Sequence, residues 1–454
     1  MELKAWGGGE GGGGIGVMPS IVYKKMYVGN VTKQGTWFLE EYPYVLELVR
    51  TQLHFCVYIS IECSSNNLVI MRALAYFGKK DIKFTNDLKE PTIGVDDEVE
   101  INVAWCGICG SDLHEYLDGP IFFPEDGKTH DVSGLGLPQA MGHEMSGIVS
   151  KVGSKVKNVK PGDRVVVEAT GSCLDHYRWE GSAHAKDGNC AACSRGYYNC
   201  CAHLGFMGLG VHSGGFAEKV VISERHIVKI PDSLPLDVAA LVEPISVSWH
   251  AVRISHLQEG QSALVLGAGP IGLATILALQ GHGASKIVVS EPAEIRRRQA
   301  AKLGVETFNP MEHGDDAVEI LKKMAPGGEG FDFAYDCSGV KATFDTGVHA
   351  VTFRGMYVNI AIWGHKPIDF RPMDVTLQEK FITGSMCYTV EDFKAVVAAF
   401  ADGRIEVDKA RHLITGKQKI EDGFEKGFDE LMNHKEKNIK ILLTPNNHGE
   451  LNAN

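Results

Sequence analysis

The chain has 454 residues, of which 44% are hydrophobic and 22% charged, with a formal net charge of −12. That length exceeds what one hydrophobic core organises, so two domains are expected. The acidic balance excludes a nucleic-acid surface, which needs clustered Lys and Arg; no run of eighteen uncharged apolar residues occurs, so no membrane span is expected.

The first seventy residues differ from the rest. Glycines at 7–9 and 11–14 form a low-complexity run that cannot bury surface and reads as flexible. Residues 42–70 are more apolar but show no clear period, so 1–70 is expected to be an appended extension outside the catalytic unit. The amino terminus lacks the basic, apolar and small-residue order of a signal peptide, which makes a reducing, cytoplasmic setting the expectation.

From Met71 the pattern changes. Short runs at 72–77, 99–104, 146–152, 162–167 and 215–221 carry β-branched and aromatic residues between turn signals. Many glycines and few helical periods predict an all-β or barrel-like domain to about Leu236. Beyond it the pattern alternates: strands at 262–266, 286–290, 331–335 and 356–362, with helices at 271–279 and 295–302. Alternation over roughly 130 residues predicts a parallel, doubly wound sheet. Helical segments at 391–400 and 424–436 precede a final strand at 438–443.

The first of these strands opens onto Gly267-Ala268-Gly269-Pro270-Ile271-Gly272. Gly267 permits a tight turn, Gly269 lets the backbone approach a pyrophosphate, and Gly272 lets helix and strand pack closely. Pro270 suits the first helical turn, and the helix N-terminus, with Ile271, presents free N–H groups to phosphate. Glu291 ends the next strand, nineteen residues beyond Gly272. A carboxylate there accepts a ribose 2′-OH and repels a 2′-phosphate, which predicts NAD rather than NADP. Arg296, Arg297 and Arg298 read as a solvated helix face rather than a phosphate grip.

Six of the eleven cysteines fall in two tight clusters, a spacing that suits metal ligation better than disulfides. The first runs from Cys106 through Cys109 to His114 and is answered by Gly142-His143-Glu144. A thiolate, an imidazole and a carboxylate with one open position make a catalytic zinc site, where substrate oxygen is polarised and its pKa lowered. The second, Cys190, Cys193 and Cys201 with Cys200 adjacent, suits a closed structural zinc.

The segments 107–114, 142–147, 190–201 and 267–272, in this order, resemble the zinc-containing medium-chain dehydrogenase/reductase superfamily over residues 71–445. Within it, Asp118–Pro124, Ala240–Val247, Met373–Glu379 and Lys440–Asn446 are similar to the fungal (R,R)-2,3-butanediol dehydrogenases. The resemblance implies a GroES-like barrel catalytic domain (71–240), a Rossmann doubly wound parallel-sheet cofactor domain (241–385), and a segment (386–454) returning to the catalytic domain. It implies that Cys109 and His143 bind catalytic zinc, that Cys106 is packing, and that the third ligand is Glu144 or Glu243. Ser111 and His114 match its proton relay. The structural lobe of the family carries four cysteines, but Asp187 stands three before Cys190. Either Asp187 completes that site, or Cys173 or Cys200 reaches in, or the site is vestigial. The implied reaction is NAD-dependent interconversion of a secondary alcohol or diol and a ketone, best fitted by (R,R)-2,3-butanediol and acetoin. A sorbitol or xylitol dehydrogenase is the alternative, and a non-catalytic nucleotide-binding protein the alternative of another class. A homo-oligomer is implied as well.

Overall fold

The computed structural model describes residues 69–184, 187–364 and 366–446; the glycine-rich extension expected at 1–70 lies almost wholly outside them. The hairpin of β1 (Ile70–Gly78) and β2 (Asp81–Lys89) begins the described chain. Next comes β3 (Glu98–Gly107), buried along almost its whole length because it is paired on both edges. One edge takes β4 (Glu144–Val152). Along the other, β5 (Lys219–Ser223) covers the first half of β3, and β6 (Lys440–Thr444) meets its last two residues. A seven-stranded sheet results, in which the carboxyl-terminal strand of the described chain is stitched beside one of its earliest. The barrel core under this sheet contains Leu74, Ile101, Val103, Met145, Val165, Phe216 and Leu443.

The cofactor domain is a six-stranded parallel sheet. Its strands are β7 (Ser262–Leu266), β8 (Lys286–Ser290), β9 (Glu306–Phe308), β10 (Phe331–Asp336), β11 (Val351–Asn359) and β12 (Phe381–Gly384). Their spatial order is β9-β8-β7-β10-β11-β12, with every neighbouring pair parallel. Chain order reverses beside β7, the topological switch point at which such sheets bind dinucleotides. β7 is fully buried, as a central parallel strand covered on both faces must be. Separate apolar clusters fill the two faces, one around Val265, Leu277 and Val289, the other around Leu264, Val288 and Tyr357.

Predicted strands at 262–266 and 286–290 coincide with β7 and β8. Others went unread. The edge strands β2, β9 and β12 are short or polar, because an edge has only one neighbour to pack against. The helix Val390–Ala401, read as part of the returning segment, packs its Phe393, Val396 and Phe400 into the cofactor-domain core. Among the described residues beyond this helix, the strands Ile414–Lys419 and β6 rejoin the catalytic sheet.

Candidate active site

Strand pairing assembles the first metal cluster. Gly107, at the end of β3, pairs with Glu144 at the start of β4 and with Leu442 of β6. Cys109 follows as the N-cap of α1 (Gly110–Asp118), and His143 immediately precedes β4. Ligand atoms of Cys109, His143 and Glu144 lie within 4.8 Å of one another. Gly107 is required by close approach: a Cβ there would sit 2.1 Å from Glu144 Oε2. Gly142 has φ +93°, and a Cβ on it would collide with Phe216 and with Cys106 Sγ. Cys106 is fully buried beneath that turn and outside the cluster.

The donor set fits a metal cation. Burial and the neighbouring Glu144 charge push the Cys109 thiol up to about 11, so the thiolate needs a cation beside it. Glu144 Oε2 and His143 Nδ1 are buried without a hydrogen-bond partner among the described residues. Asp112 Oδ1, also unpartnered, lies 3.7 Å from His143 Nδ1, so a carboxylate flanks that ring nitrogen while Nε2 is on the Ser111 side. The other Asp112 oxygen accepts from the Cys109 backbone N–H at 2.9 Å and ties the thiol's position to the start of α1.

Glu243, in the first turn of α2 (Val242–Ile254), is buried nearby but outside this cluster. Burial raises its carboxyl to about 8, with the Glu144 and Cys109 charges adding to the effect. Ser111 Oγ lies 3.4 Å from His143 Nε2. His114 is one turn further along α1, with its side chain 71% exposed and Nδ1 3.7 Å from Asp118. No hydrogen bond joins Ser111 to His114 among the described residues, so the sequence-predicted relay is brought to one helix face without being closed.

Lys440 was missed from sequence. Its side chain is buried, with Nζ donating to Glu144 Oε1 at 2.5 Å and to the Ile108 carbonyl at 3.0 Å. The available signal was a lysine opening an otherwise apolar strand. Such a charge is buried only when it is paired.

The second cluster decides between the alternatives for its fourth member, against Asp187. Cys173, Cys190, Cys193 and Cys201 converge, with sulfur atoms within 4.8 Å of one another. Two of the pairs, Cys173–Cys201 at 3.5 Å and Cys190–Cys201 at 3.9 Å, bracket the edge of about 3.8 Å that a tetrahedral zinc tetrathiolate has. Backbone N–H groups of Cys193 and Ala202 point at Cys190 Sγ and hold that thiol down at about 6. Cys173 therefore takes the fourth place. Asp187 is turned away, its carboxylate accepting from His184 Nδ1 at 2.9 Å, and the exposed Cys200 points outward.

In the nucleotide loop, Gly267 has φ +98°, and a Cβ on Gly272 would lie 2.0 Å from the Gly267 carbonyl oxygen. A Cβ on Gly269 would meet nothing within 4 Å, which leaves the loop's outer surface open to a phosphate. Pro270 is the first residue of the helix Pro270–Gly281, and Ile271 follows it. Glu291 is buried at the end of β8, where its two oxygens accept from the Ala268 and Ala293 N–H groups at 2.9 and 2.8 Å.

Comparison with known proteins agrees with this architecture. Residues 95–232 match the alcohol dehydrogenase GroES-like domain, and residues 270–402 match the zinc-binding dehydrogenase family. The chain is 63% identical to (R,R)-butanediol dehydrogenase of Saccharomyces cerevisiae over 381 residues, covering 84% of this chain and 100% of that protein. The chain belongs to the zinc-containing medium-chain dehydrogenase/reductase family. A probable (R)-acetoin-forming diacetyl reductase of the same yeast is 57% identical over 84% of this chain and 92% of its own length. Among solved structures, 2R,3R-butanediol dehydrogenase from Bacillus subtilis superposes with a TM-score of 0.73 at 37% identity, covering 83% of this chain and all of that one. No helix among the described residues is long and apolar enough to cross a membrane.

Proposed function

We propose that this dehydrogenase interconverts (R,R)-2,3-butanediol and acetoin with NAD. The observation that carries the reading is the Cys109–His143–Glu144 cluster at the end of β3, in a chain 63% identical to a butanediol dehydrogenase over that enzyme's full length. Glu144 is the third ligand in this reading, because its Oε2 is buried, unpartnered and grouped with the thiol and imidazole. Zinc held there supplies a Lewis acid that lowers the pKa of a substrate hydroxyl, and NAD on the Gly267–Gly272 loop supplies the hydride acceptor.

The remaining work falls to side chains. In this reading Ser111 Oγ, 3.4 Å from His143 Nε2, takes the hydroxyl proton, and the exposed His114 one turn along α1 exchanges it with solvent once a side-chain rotation brings the two within hydrogen-bond reach. Glu243, whose carboxyl burial raises to about 8 in metal-free protein, is the alternative carboxylate to Glu144 beside the ion. Preference for NAD rests on Glu291. Of the neighbouring arginines, Arg297 donates to the Glu291 and Pro292 carbonyls and Arg298 pairs with Glu294 on the exposed helix face.

On this reading residues 71–240 form the catalytic domain, 241–385 the cofactor domain, and the chain from 386 returns to the catalytic domain after its helix Val390–Ala401 has packed on the cofactor-domain core. Exposed Phe381 and Ile382 on the edge strand β12, with Leu377 four residues before it and Phe353 on the neighbouring strand β11, favour pairing with a second copy of the chain. The test is a turnover panel on metal-quantified protein, using the three butanediol stereoisomers and sorbitol with NAD and NADP. Highest kcat/KM for the (R,R)-diol with NAD is expected. Preference for sorbitol, or NADH binding without turnover of any alcohol, overturns the assignment.

A further inference from the structure

A second group of metal-ligating side chains lies in the cysteine lobe, and nothing in the dehydrogenase reaction uses it. We propose that His184, Asp187 and His203 form a further binding site for a late first-row divalent cation such as zinc, separate from both the catalytic and the four-cysteine clusters. Their ligand atoms lie within 4.8 Å of one another. Asp187 Oδ2 is 2.9 Å from His184 Nδ1, and the His184 and His203 rings overlap with centroids 3.7 Å apart. A tetrahedral zinc with bonds of about 2.0 Å needs donor atoms about 3.3 Å apart; the His184–Asp187 pair is near that at 2.9 Å, and the stacked His184 and His203 rings must swing so that their in-plane lone pairs converge on the ion.

A third imidazole lies beside the pair, outside the three-residue ligand group itself. His176 is buried behind the pair, its ring centroid 5.7 Å from His184 and 5.9 Å from His203. Its Nδ1 lies 3.2 Å from the His184 carbonyl oxygen, while Nε2 is buried without a hydrogen-bond partner among the described residues. A buried imidazole nitrogen left unpaired is costly, and a cation or its bound water offers the missing partner. Two imidazoles and one carboxylate favour zinc, nickel, copper or cobalt over calcium or magnesium, which require oxygen-rich shells. The site also abuts the four-cysteine cluster, since the His203 N–H donates to Cys201 Sγ at 3.3 Å.

The experiment compares tag-free full-length protein with the His184→Gln/His203→Gln variant, each loaded from a zinc buffer and then with cobalt. Wild type is expected to hold one zinc more per chain than the variant. Its extra cobalt should show ligand-field absorption without a thiolate charge-transfer band, and that band should be equal in both proteins. Equal metal content overturns the proposal. So does a difference of one ion accompanied by loss of the thiolate band, because the substitutions would then have damaged the cysteine cluster. Asp187→Asn, at an exposed side chain, provides a second route if the double variant does not fold. It should weaken uptake of the same ion by about tenfold or more, and unchanged uptake overturns the site.

Discussion

Lys440→Met tests how the candidate metal centre holds its buried charge. Lys440 and Glu144 are both buried, and their charged atoms lie 2.5 Å apart. At an effective dielectric constant of about 20, unit charges at that distance attract by roughly 7 kcal/mol, most of which offsets desolvation. Removing only the lysine leaves Glu144 uncompensated and is expected to cost about 3–5 kcal/mol in metal-free protein. Methionine keeps much of the lysine's length and apolar stem, so lost packing contributes little. In zinc-loaded protein the cost should fall to less than half, because a cation on Glu144 replaces the missing compensation. By linkage, zinc then stabilises the variant more than it stabilises wild type. The double variant Glu144→Gln/Lys440→Met should recover much of the metal-free loss, as the neutral replacement of a buried pair usually does. Urea unfolding followed by tryptophan fluorescence, with chelator and with zinc, measures all three effects. A metal-free loss below about 1 kcal/mol, or equal losses with and without zinc, would refute the reasoning.

Gly107→Ala forces a Cβ to within 2.1 Å of Glu144 Oε2; catalytic zinc content should drop and kcat/KM should fall at least ~100-fold, whereas retained zinc with full activity would contradict the close packing. Cys173→Ser should abolish the tetrathiolate spectrum of cobalt-loaded protein and lower its melting temperature, while Asp187→Ser leaves that spectrum intact; the reverse pattern would restore Asp187 as the fourth ligand. Asp392 has a pH signature. Burial alone would raise its carboxyl, but hydrogen bonds from His250 and Arg253 hold it well below the usual carboxylate range. Its folded pKa is therefore the lower one, so its contribution is present above about pH 4 and is lost as pH falls further. Asp392→Asn should cost about 3–5 kcal/mol at pH 7 and flatten the acid limb of a melting-temperature profile; an unchanged limb would show that other carboxylates set it.

Local pattern made much of this protein legible from sequence. The nucleotide loop could be read because its needs are met by neighbours in the chain: a positive-φ glycine at 267, a glycine at 272 against the preceding carbonyl, and a proline at the first helical position. A thiolate–imidazole–carboxylate site was likewise recognisable by residue type and spacing, with the family resemblance singling out Cys109 and His143 and leaving the carboxylate open between Glu144 and Glu243. So were the central strands β7 and β8, whose apolar runs reflect burial on both faces. Tertiary structure decided what depends on distant partners. Lys440 reaches Glu144 across 296 residues because β6 returns to pair beside β3. Cys173 rather than Asp187 completes the tetrathiolate, since the fold of the lobe, and not spacing from Cys190, sets which sulfur arrives. Sequence fixes donor chemistry one residue at a time, but a coordination sphere and a buried ion pair are properties of converging chains, and convergence is a matter of strand order and register.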